Sequence, residues 1–245
     1  MTVPERSVRY CNSAPAIYDR QYNSTRRVSR AMVDSGTPLV RVEETDAVVT
    51  LRLNRPDSLN AFNTEIVVGL RDALADLEGD DRGVLLTGAG RATCAGMDTD
   101  IVGGGDYPEA YPELDETLRE VYEYFLERRA PSAVAGRGAL VGAGLSLALR
   151  CDFLVVGEET TLSLPEIRYD IPVESNARLL AEQISPRVAK EIALTGRQLD
   201  PARLERLGLV NAVVPEEDVE GTAEELLAEI AGYDADHVAE VLAFL

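Results

Sequence analysis

The sequence predicts an α/β fold in which strands and helices alternate. Short segments with the apolar pattern of strands are followed by segments whose apolar residues recur at helical spacing. Glycine-rich turns separate the two kinds of segment, as at 88–90 and 142–144. The 245 residues, of which 45% are apolar, are enough for one large domain or two small ones. We find no low-complexity segment and no internal repeat.

The first half of the chain is predicted to begin with a strand hairpin. Apolar and polar residues alternate in both hairpin strands, and an Asn-Arg-Pro-Asp turn follows them. A helix comes next, with Asn63 or Thr64 as its cap and apolar residues along one face. A short buried strand then ends in glycines. The predicted elements are strands 39–43 and 47–53, a helix from 64 to about 77, and strand 83–87.

The second half continues the alternation and ends in helices. An acidic amphipathic helix precedes a short strand around Val134, and a glycine-rich turn leads into an apolar helix and another strand. Further helices, a last strand and two acidic helical stretches complete the chain. The predicted elements are helices 111–129, 143–150, 176–183, 186–195 and 201–207, and strands 152–156 and 210–214.

The charge of the chain is strongly acidic. Asp and Glu total 43 against 24 Lys and Arg, which gives a net charge of -19, and Lys190 is the single lysine. Such a surface repels nucleic acid phosphates and anionic membranes, so neither is an expected partner. Because molar salt screens self-repulsion, we interpret the acidity and the scarcity of lysine as adaptation to a salty, halophilic cytoplasm. The alternative is an acidic protein of ordinary habitat.

The first 31 residues differ in composition from the rest. They hold six arginines against two acidic residues and show no apolar periodicity. We expect residues 1–31 to be a disordered extension, with Met32 as the start favoured over a transit peptide. The expected organisation is therefore an extension at 1–31, a core at 32–214 and a short helical segment at 215–245.

The cysteines and the apolar runs indicate a cytoplasmic protein. Cys11, Cys94 and Cys151 are odd in number and lack metal-ligand spacing, which fits a reducing compartment and predicts no metal site. No apolar run reaches the roughly 18 residues that a membrane span needs.

Two glycine-containing segments are candidates for ligand binding. Residues 87–98 follow a strand and resemble G-x-G-x-x-G, but Thr93 stands where a dinucleotide-binding turn needs its third glycine. Small residues at 142–144 open an apolar helix, and a helix N-terminus offers free N–H groups that suit a developing oxyanion. The alternative for this second segment is a buried helix whose glycines serve only close packing.

Glu166 is the candidate acid–base residue. It follows Leu164-Pro165 and has apolar neighbours in the sequence. A carboxyl group in an apolar cleft has a raised pKa and can move protons near neutral pH. The alternative is a surface glutamate after a turn.

Six blocks in order resemble the enoyl-CoA hydratase/isomerase (crotonase) family. The likeness extends over about 40–215 and implies a crotonase-like ββα spiral with C-terminal helices, acting on acyl-CoA thioesters and assembling as a homotrimer or a dimer of trimers. The chain ends about 30 residues after Pro215, where typical members continue. The blocks are NRPDSLNA at 54–61, CAGMD at 94–98, GAGLSLALRCD at 142–152, LPE at 164–166, LTGRQLD at 194–200 and GLVNAVVP at 208–215.

The resemblance implies where the thioester binds. In this family two backbone N–H groups hold the thioester oxygen, and the matching residues are Met97 and Ala143. No separate cofactor is implied, because coenzyme A is part of the substrate. Many members have a basic residue at the position of Asp57, so Arg55 or Arg91 is expected to contact the phosphates instead. The residues that match the family's coenzyme A site are Ser58, Ala61, Ala95, Asp98 and Gly142.

The family's hydratases use two glutamates, and one of them is absent here. The first family position is Ser146, whereas the second is kept as Glu166. Moving a proton between the α- and γ-carbons of an enoyl thioester needs only one base, so we rank an enoyl-CoA isomerase above a hydratase.

Two alternative functions and the role of one residue, Glu174, stay open at this point. The protein could be a hydratase or another enolate enzyme whose acid comes from elsewhere. It could instead be a silent acyl-CoA-binding subunit, which the lost glutamate, the glycine-free stretch after Glu166 and the short C-terminus favour. Glu174 could enter the pocket as a further acid, although capping of the next helix is the favoured interpretation.

Overall fold

The computed structural model describes residues 33–102 and 111–244. The expected disordered extension at 1–31 lies outside these residues. The described strands, in chain order, are β1 (Val40–Glu44), β2 (Val48–Leu53), β3 (Gly83–Gly88), β4 (Ser132–Gly136), β5 (Ala139–Val141), β6 (Phe153–Gly157), β7 (Thr161–Ser163) and β8 (Ala212–Val214).

Six of these strands form the main sheet and two form a small second sheet. The main sheet has the order β1-β2-β3-β4-β6-β8, with β1 and β2 antiparallel and every other neighbouring pair parallel. Strands β5 and β7 pair in parallel. Parallel neighbours need crossover connections, and helices supply most of them, so the α/β prediction is confirmed.

The bounds of the helices lie close to those predicted from the apolar periodicity and the capping residues. They are α1 (Thr64–Ala75), α2 (Thr99–Val102), α3 (Tyr111–Glu127), α4 (Ala143–Ala148), α5 (Glu174–Gln183), α6 (Pro186–Thr195), α7 (Pro201–Arg206), α8 (Val219–Ile230) and α9 (Ala235–Phe244). Short 3₁₀ helices span Pro56–Ser58 and Glu166–Tyr169. No helix among the described residues is long and apolar enough to cross a membrane.

Alternate residues of the central strands bury their side chains on opposite faces of the sheet. On one face, Val48, Leu85 and Val155 pack against Leu227 and its neighbours on α8. On the other face, the intervening residues of the same strands join the larger core formed with α1, α3 and α4. Because helices cover both faces of the sheet, the candidate site does not lie on a face. It lies beyond the carboxyl ends of β3 and β4.

Candidate active site

The loop after β3 is held between Phe62 and the second sheet. The N–H of Cys94 donates to the Ala139 carbonyl at 2.9 Å, and the N–H of Val141 donates to the Cys94 carbonyl at 3.0 Å. Gly96 turns the loop with a φ of 101°, a conformation that favours glycine. Its carbonyl accepts from the N–H of Phe62 at 2.8 Å.

These contacts leave the N–H of Met97 available for a ligand. The N–H of the next residue, Asp98, donates to the Phe62 carbonyl at 2.9 Å, so the groups on both sides of Met97 are engaged. Within residues 33–102 and 111–244, the Met97 N–H itself has no hydrogen-bond acceptor.

A second free N–H lies at the start of α4. Gly142 has φ 53° and ψ −124°, a backbone conformation that a residue with a Cβ rarely adopts, and it precedes the helix. Its N–H donates to the Ser163 carbonyl, and its own carbonyl accepts from Ser146. Ala143 is the first helical residue, and its N–H has no acceptor among the residues that the structure describes, as expected for a first-turn donor.

Gly144 allows α4 to approach the loop of Met97 closely. A Cβ at position 144 would lie 2.7 Å from the Cβ and 2.8 Å from the Sγ of Cys94. Cys94 is buried in the core beneath the loop, and burial raises the pKa of its thiol to about 12, so it stays protonated. The glycine therefore sets the spacing between the two free N–H groups.

We expect Gly144→Ala to destabilise the protein, because Cys94 already packs against Gly144 and leaves no room for the added methyl group. Overpacking of this kind costs about 1–3 kcal/mol of unfolding free energy. Denaturant unfolding of the variant and the wild type would measure the loss. Gly221→Ala is the matched control, because a Cβ there meets nothing within 4 Å. Equal stability of Gly144→Ala and wild type would contradict the close contact.

Glu166 brings a buried carboxyl group to the same place. The residue begins the 3₁₀ helix after β7 and is only 9% exposed. Its Oε2 atom is buried and has no hydrogen-bond partner in the described part of the chain. Burial raises the pKa of this carboxyl group, whereas interaction with the Ser146 hydroxyl opposes the rise.

One cavity joins the three predicted catalytic residues. It has a volume of about 330 Å³, and Met97, Ala143 and Glu166 all line it. Ala95 and Gly142, predicted to bind coenzyme A, line it as well. The arrangement can hold a carbonyl oxygen with two N–H donors while a carboxylate faces the neighbouring carbon.

The other three residues predicted to bind coenzyme A do not line this cavity. Ser58 ends a 3₁₀ helix, and Ala61 is buried beside it. The Asp98 carboxylate accepts from the Arg55 guanidinium at 2.5 Å and from the N–H of Asp100 at 3.0 Å. The pKa of the Asp98 carboxyl group is lowered, because these hydrogen bonds outweigh its burial. Asp98 therefore connects the 54–61 loop to the start of α2.

The same ion pair bears on the expected phosphate contacts. Arg55 donates through Nη1 to Asp98, whereas Arg91 is exposed, and a phosphate contact of either arginine stays a prediction. Glu174 does not line the cavity of Glu166. It is exposed in the first turn of α5, where a negative charge is favourable, and the cap position itself belongs to Val173.

A polar network behind the cavity was not foreseen from the sequence. The Nδ2 of Asn176 donates to the Ser146 hydroxyl at 2.7 Å, and both residues are buried. The Tyr122 hydroxyl donates to the carbonyl of Ala143 at 3.1 Å, which fixes the first turn of α4. Because these contacts join residues 21 and 30 positions apart, no local pattern in the sequence reveals them.

No metal site accompanies this arrangement among the described residues. In that part of the chain, no three His, Cys, Asp or Glu side chains are grouped so that they could hold an ion.

Comparison with known proteins gives consistent matches. The sequence profile of enoyl-CoA hydratase/isomerase matches residues 43–244. A probable enoyl-CoA hydratase of Mycobacterium tuberculosis is 31% identical over 183 residues, which are 74% of this chain and 70% of that protein. A 1,2-epoxyphenylacetyl-CoA isomerase of Escherichia coli is 32% identical over 191 residues, 75% of this chain and 72% of that protein.

Solved structures show the same fold. An enoyl-CoA hydratase structure from Mycobacterium smegmatis superposes with a TM-score of 0.77 at 27% identity, covering 84% of this chain and 82% of that one. A probable enoyl-CoA hydratase/isomerase of Mycobacterium abscessus gives a TM-score of 0.74 at 29% identity, covering 83% and 80%. These similarities confirm the predicted crotonase-like fold.

Proposed function

This chain belongs to the enoyl-CoA hydratase/isomerase family, and we propose that it is an enoyl-CoA isomerase that uses Glu166 as its single base. In the proposed reaction, the Glu166 carboxylate removes a proton from the α-carbon of a 3-enoyl-CoA. The N–H groups of Met97 and Ala143 stabilise the thioester enolate that forms. The protonated Glu166 then returns the proton to the γ-carbon, which gives the conjugated 2-enoyl-CoA and restores the carboxylate.

The observation that carries this proposal is the unpartnered, buried carboxylate oxygen of Glu166 beside two free N–H donors. A base needs a carboxylate oxygen that is not occupied by hydrogen-bond donors, and Oε2 of Glu166, a residue that lines the cavity, has no hydrogen-bond partner among the described residues. The pKa of Glu166 is raised, so it lies closer to the pKa of the substrate's α-carbon, the weak acid from which Glu166 takes the proton.

The residue at position 146 favours isomerisation over hydration. Hydration needs one group to activate water while a proton is delivered to the α-carbon. Ser146 supplies a hydroxyl group instead of a second carboxylate, and Asn176 already donates to it. Asp115 also borders the cavity, but it is half exposed and pairs with Arg119 at 2.8 Å. Asp115 is the second carboxylate among the described residues that line the cavity, so we take it as the residue that discriminates a hydratase from an isomerase.

Turnover assays test the proposal directly. We expect the protein to convert a 3-enoyl-CoA to the 2-enoyl-CoA, and to hydrate a 2-enoyl-CoA far more slowly. The assays are run in molar KCl because the chain carries a net charge of -19. Faster hydration, lost in Asp115→Asn, would support the hydratase alternative. Binding of acyl-CoA without either reaction would support a silent binding subunit.

The pH dependence of isomerisation follows from the environment of Glu166. The base acts as a carboxylate, so kcat/KM falls as the pH drops through the pKa of Glu166, which is raised above its ordinary value of 4.5. In Ser146→Ala one of the two interactions that lower this pKa is lost, while the backbone hydrogen bond of Glu166 remains, so the acidic limb of the profile is expected to move to higher pH. Asn176→Ala is the matched control, because it removes a contact to Ser146 but leaves the hydroxyl. An acidic limb that stays in place in Ser146→Ala would refute the assignment of the limb to Glu166.

Assembly and location are further parts of the proposal. We propose a homotrimer or dimer of trimers in the cytoplasm, because the chain belongs to this family and the described cysteines, Cys94 and Cys151, are unpaired. Light scattering in molar KCl would measure the assembly.

A further inference from the structure

A buried arginine lies near the cavity and has no acidic partner among the residues that the structure describes. Arg150 follows α4 and is only 8% exposed. Its Nη1 donates to the carbonyl of Ser146 and, at 3.2 Å, to the Oδ1 of Asn176. The centre of its guanidinium group lies 4.1 Å from the centroid of the Tyr122 ring. All of these contacts are with neutral groups.

The charge of Arg150 is therefore uncompensated in the described part of the chain. No carboxylate among residues 33–102 and 111–244 forms an ion pair with it, and its Nε and Nη2 atoms have no acceptor there. Burial lowers the pKa of its guanidinium group, but an arginine in a protein remains protonated. Buried charges are usually paired, so an arginine in this state indicates that a ligand supplies the anion.

Arg150 is reached from the Glu166 cavity through a connected groove. This groove has a volume of about 710 Å³ and is lined by Arg150. The groove and the cavity that Glu166 lines share both apolar and polar residues, namely Asp115, Leu118, Tyr122, Ile171, Pro172 and Ser175. The acyl chain of a thioester held by Met97 and Ala143 could extend along Leu118, Tyr122, Ile171 and Pro172 towards the guanidinium group.

The acidic residues of the groove do not neutralise Arg150. Asp115 is paired with Arg119, which is itself 65% exposed. Glu123 and Glu174 border the groove but are exposed, where water and salt screen their charges. Arg150 is therefore the buried charge among the described residues of this groove, where water screens a charge least.

We propose that the preferred substrates carry a carboxylate at the end of the acyl chain opposite the thioester, and that Arg150 binds this carboxylate. The proposal rests on the proposed function only in placing the thioester at Met97 and Ala143. Because Nη1 is held by the protein, the Nε and Nη2 atoms form the free edge of the guanidinium group. Two parallel N–H donors on one edge match the two oxygens of a carboxylate.

Binding of unreactive ligands tests this inference without requiring turnover. The Kd of a saturated ω-carboxyacyl-CoA is compared with that of the saturated acyl-CoA of equal chain length, by calorimetry in molar KCl. We expect the carboxylate to tighten binding by about 10- to 100-fold, the range for hydrogen bonds to charged groups. Equal Kd values for the two ligands in the wild type would overturn the proposal.

Three variants assign the preference to Arg150. Arg150→Met, which keeps an unbranched apolar stem but lacks the guanidinium group, is expected to abolish the preference while the neutral acyl-CoA still binds. Arg150→Lys keeps the charge without the planar edge and is expected to keep part of the preference. Arg178→Met removes an exposed arginine that does not line the groove and is expected to leave the preference unchanged. A preference kept in Arg150→Met, or lost to the same extent in Arg178→Met, would overturn the assignment.

The outcome is separable from that of the proposed function. A protein that binds the ω-carboxyacyl-CoA preferentially but isomerises no 3-enoyl-CoA would support the binding site and contradict the isomerase. A protein that isomerises 3-enoyl-CoA but shows no preference would support the isomerase and contradict the binding site.

Discussion

Glu166→Gln is expected to remove isomerisation of 3-enoyl-CoA almost completely. The amide has nearly the shape of the carboxyl group but cannot take the α-proton. A positioned general base contributes about 10²- to 10⁴-fold to a proton transfer, so kcat is expected to fall by this factor. The binding of acyl-CoA is expected to change little, because the two N–H donors and the cavity walls remain. Continuous assay of the conjugated product, together with a titration of acyl-CoA binding, measures both quantities.

Glu174→Gln is the matched control for that variant. It makes the same chemical change at an exposed glutamate in the first turn of α5, which does not line the cavity of Glu166. We expect wild-type turnover from it. Full activity of Glu166→Gln would show that another group takes the proton, and Asp115 would then be the next carboxylate to replace.

Ala143→Pro is expected to lower kcat by about 10²- to 10³-fold, the usual effect of losing one oxyanion donor. Proline has no N–H, so the variant deletes the donor itself rather than a side chain. Ala143 is the first residue of α4, the helical position that proline tolerates best, so the helix is expected to form. Turnover and circular dichroism of the variant measure the two effects separately.

Ala143→Gly is the control for the proline variant. It removes the methyl group but keeps the N–H, so its kcat is expected to stay close to that of the wild type. If Ala143→Pro is folded and fully active, the thioester oxygen does not bind at the start of α4. If both variants lose activity equally, the side chain rather than the N–H is responsible.

Elements with local stop and start signals could be predicted closely from the sequence. Helix α6 spans Pro186–Thr195 as predicted, since Pro186 suits its first turn and Gly196, with φ 53°, ends it. The cap of α1 is Asn63, whose side chain accepts from the N–H of Ile66 at 2.9 Å. In each case the boundary depends on residues within one helical turn.

Short strands without such signals were missed. Strands β5 and β7 have three residues each and pair with one another, with single bridges from Leu140 to Cys94 and from Leu162 to Leu199. Three residues are too few to show an alternating pattern, and the pairing partners lie 22 positions apart, as with Ala139 and Thr161. The predicted helix at 143–150 ends earlier, at Ala148, and the next turn has tighter backbone hydrogen bonds, from the N–H of Arg150 to the Leu147 carbonyl and from that of Cys151 to the Ala148 carbonyl.

The order of the motifs in the sequence predicts where the candidate site lies. It does not predict the charge interactions around that site. The resemblance predicted that Met97, Ala143 and Glu166 would meet, and the three residues line one cavity. It could not predict that Asp98 would engage Arg55, one of the two arginines expected to contact a phosphate. Nor could it predict the isolated guanidinium group of Arg150, because charge compensation depends on residues brought together by the fold.

The central claim, that one carboxylate carries a proton from the α- to the γ-carbon, is tested most directly by isotope transfer. The substrate is a 3-enoyl-CoA labelled with deuterium at the α-carbon, and the 2-enoyl-CoA product is analysed for deuterium at the γ-carbon. The single-base reaction predicts that part of the label appears at the γ-carbon in the wild type, because Glu166 returns the deuteron that it removed. Two results together would contradict the account. The γ-carbon of the product would carry only hydrogen from the solvent, and Glu166→Gln would form the product at an undiminished rate.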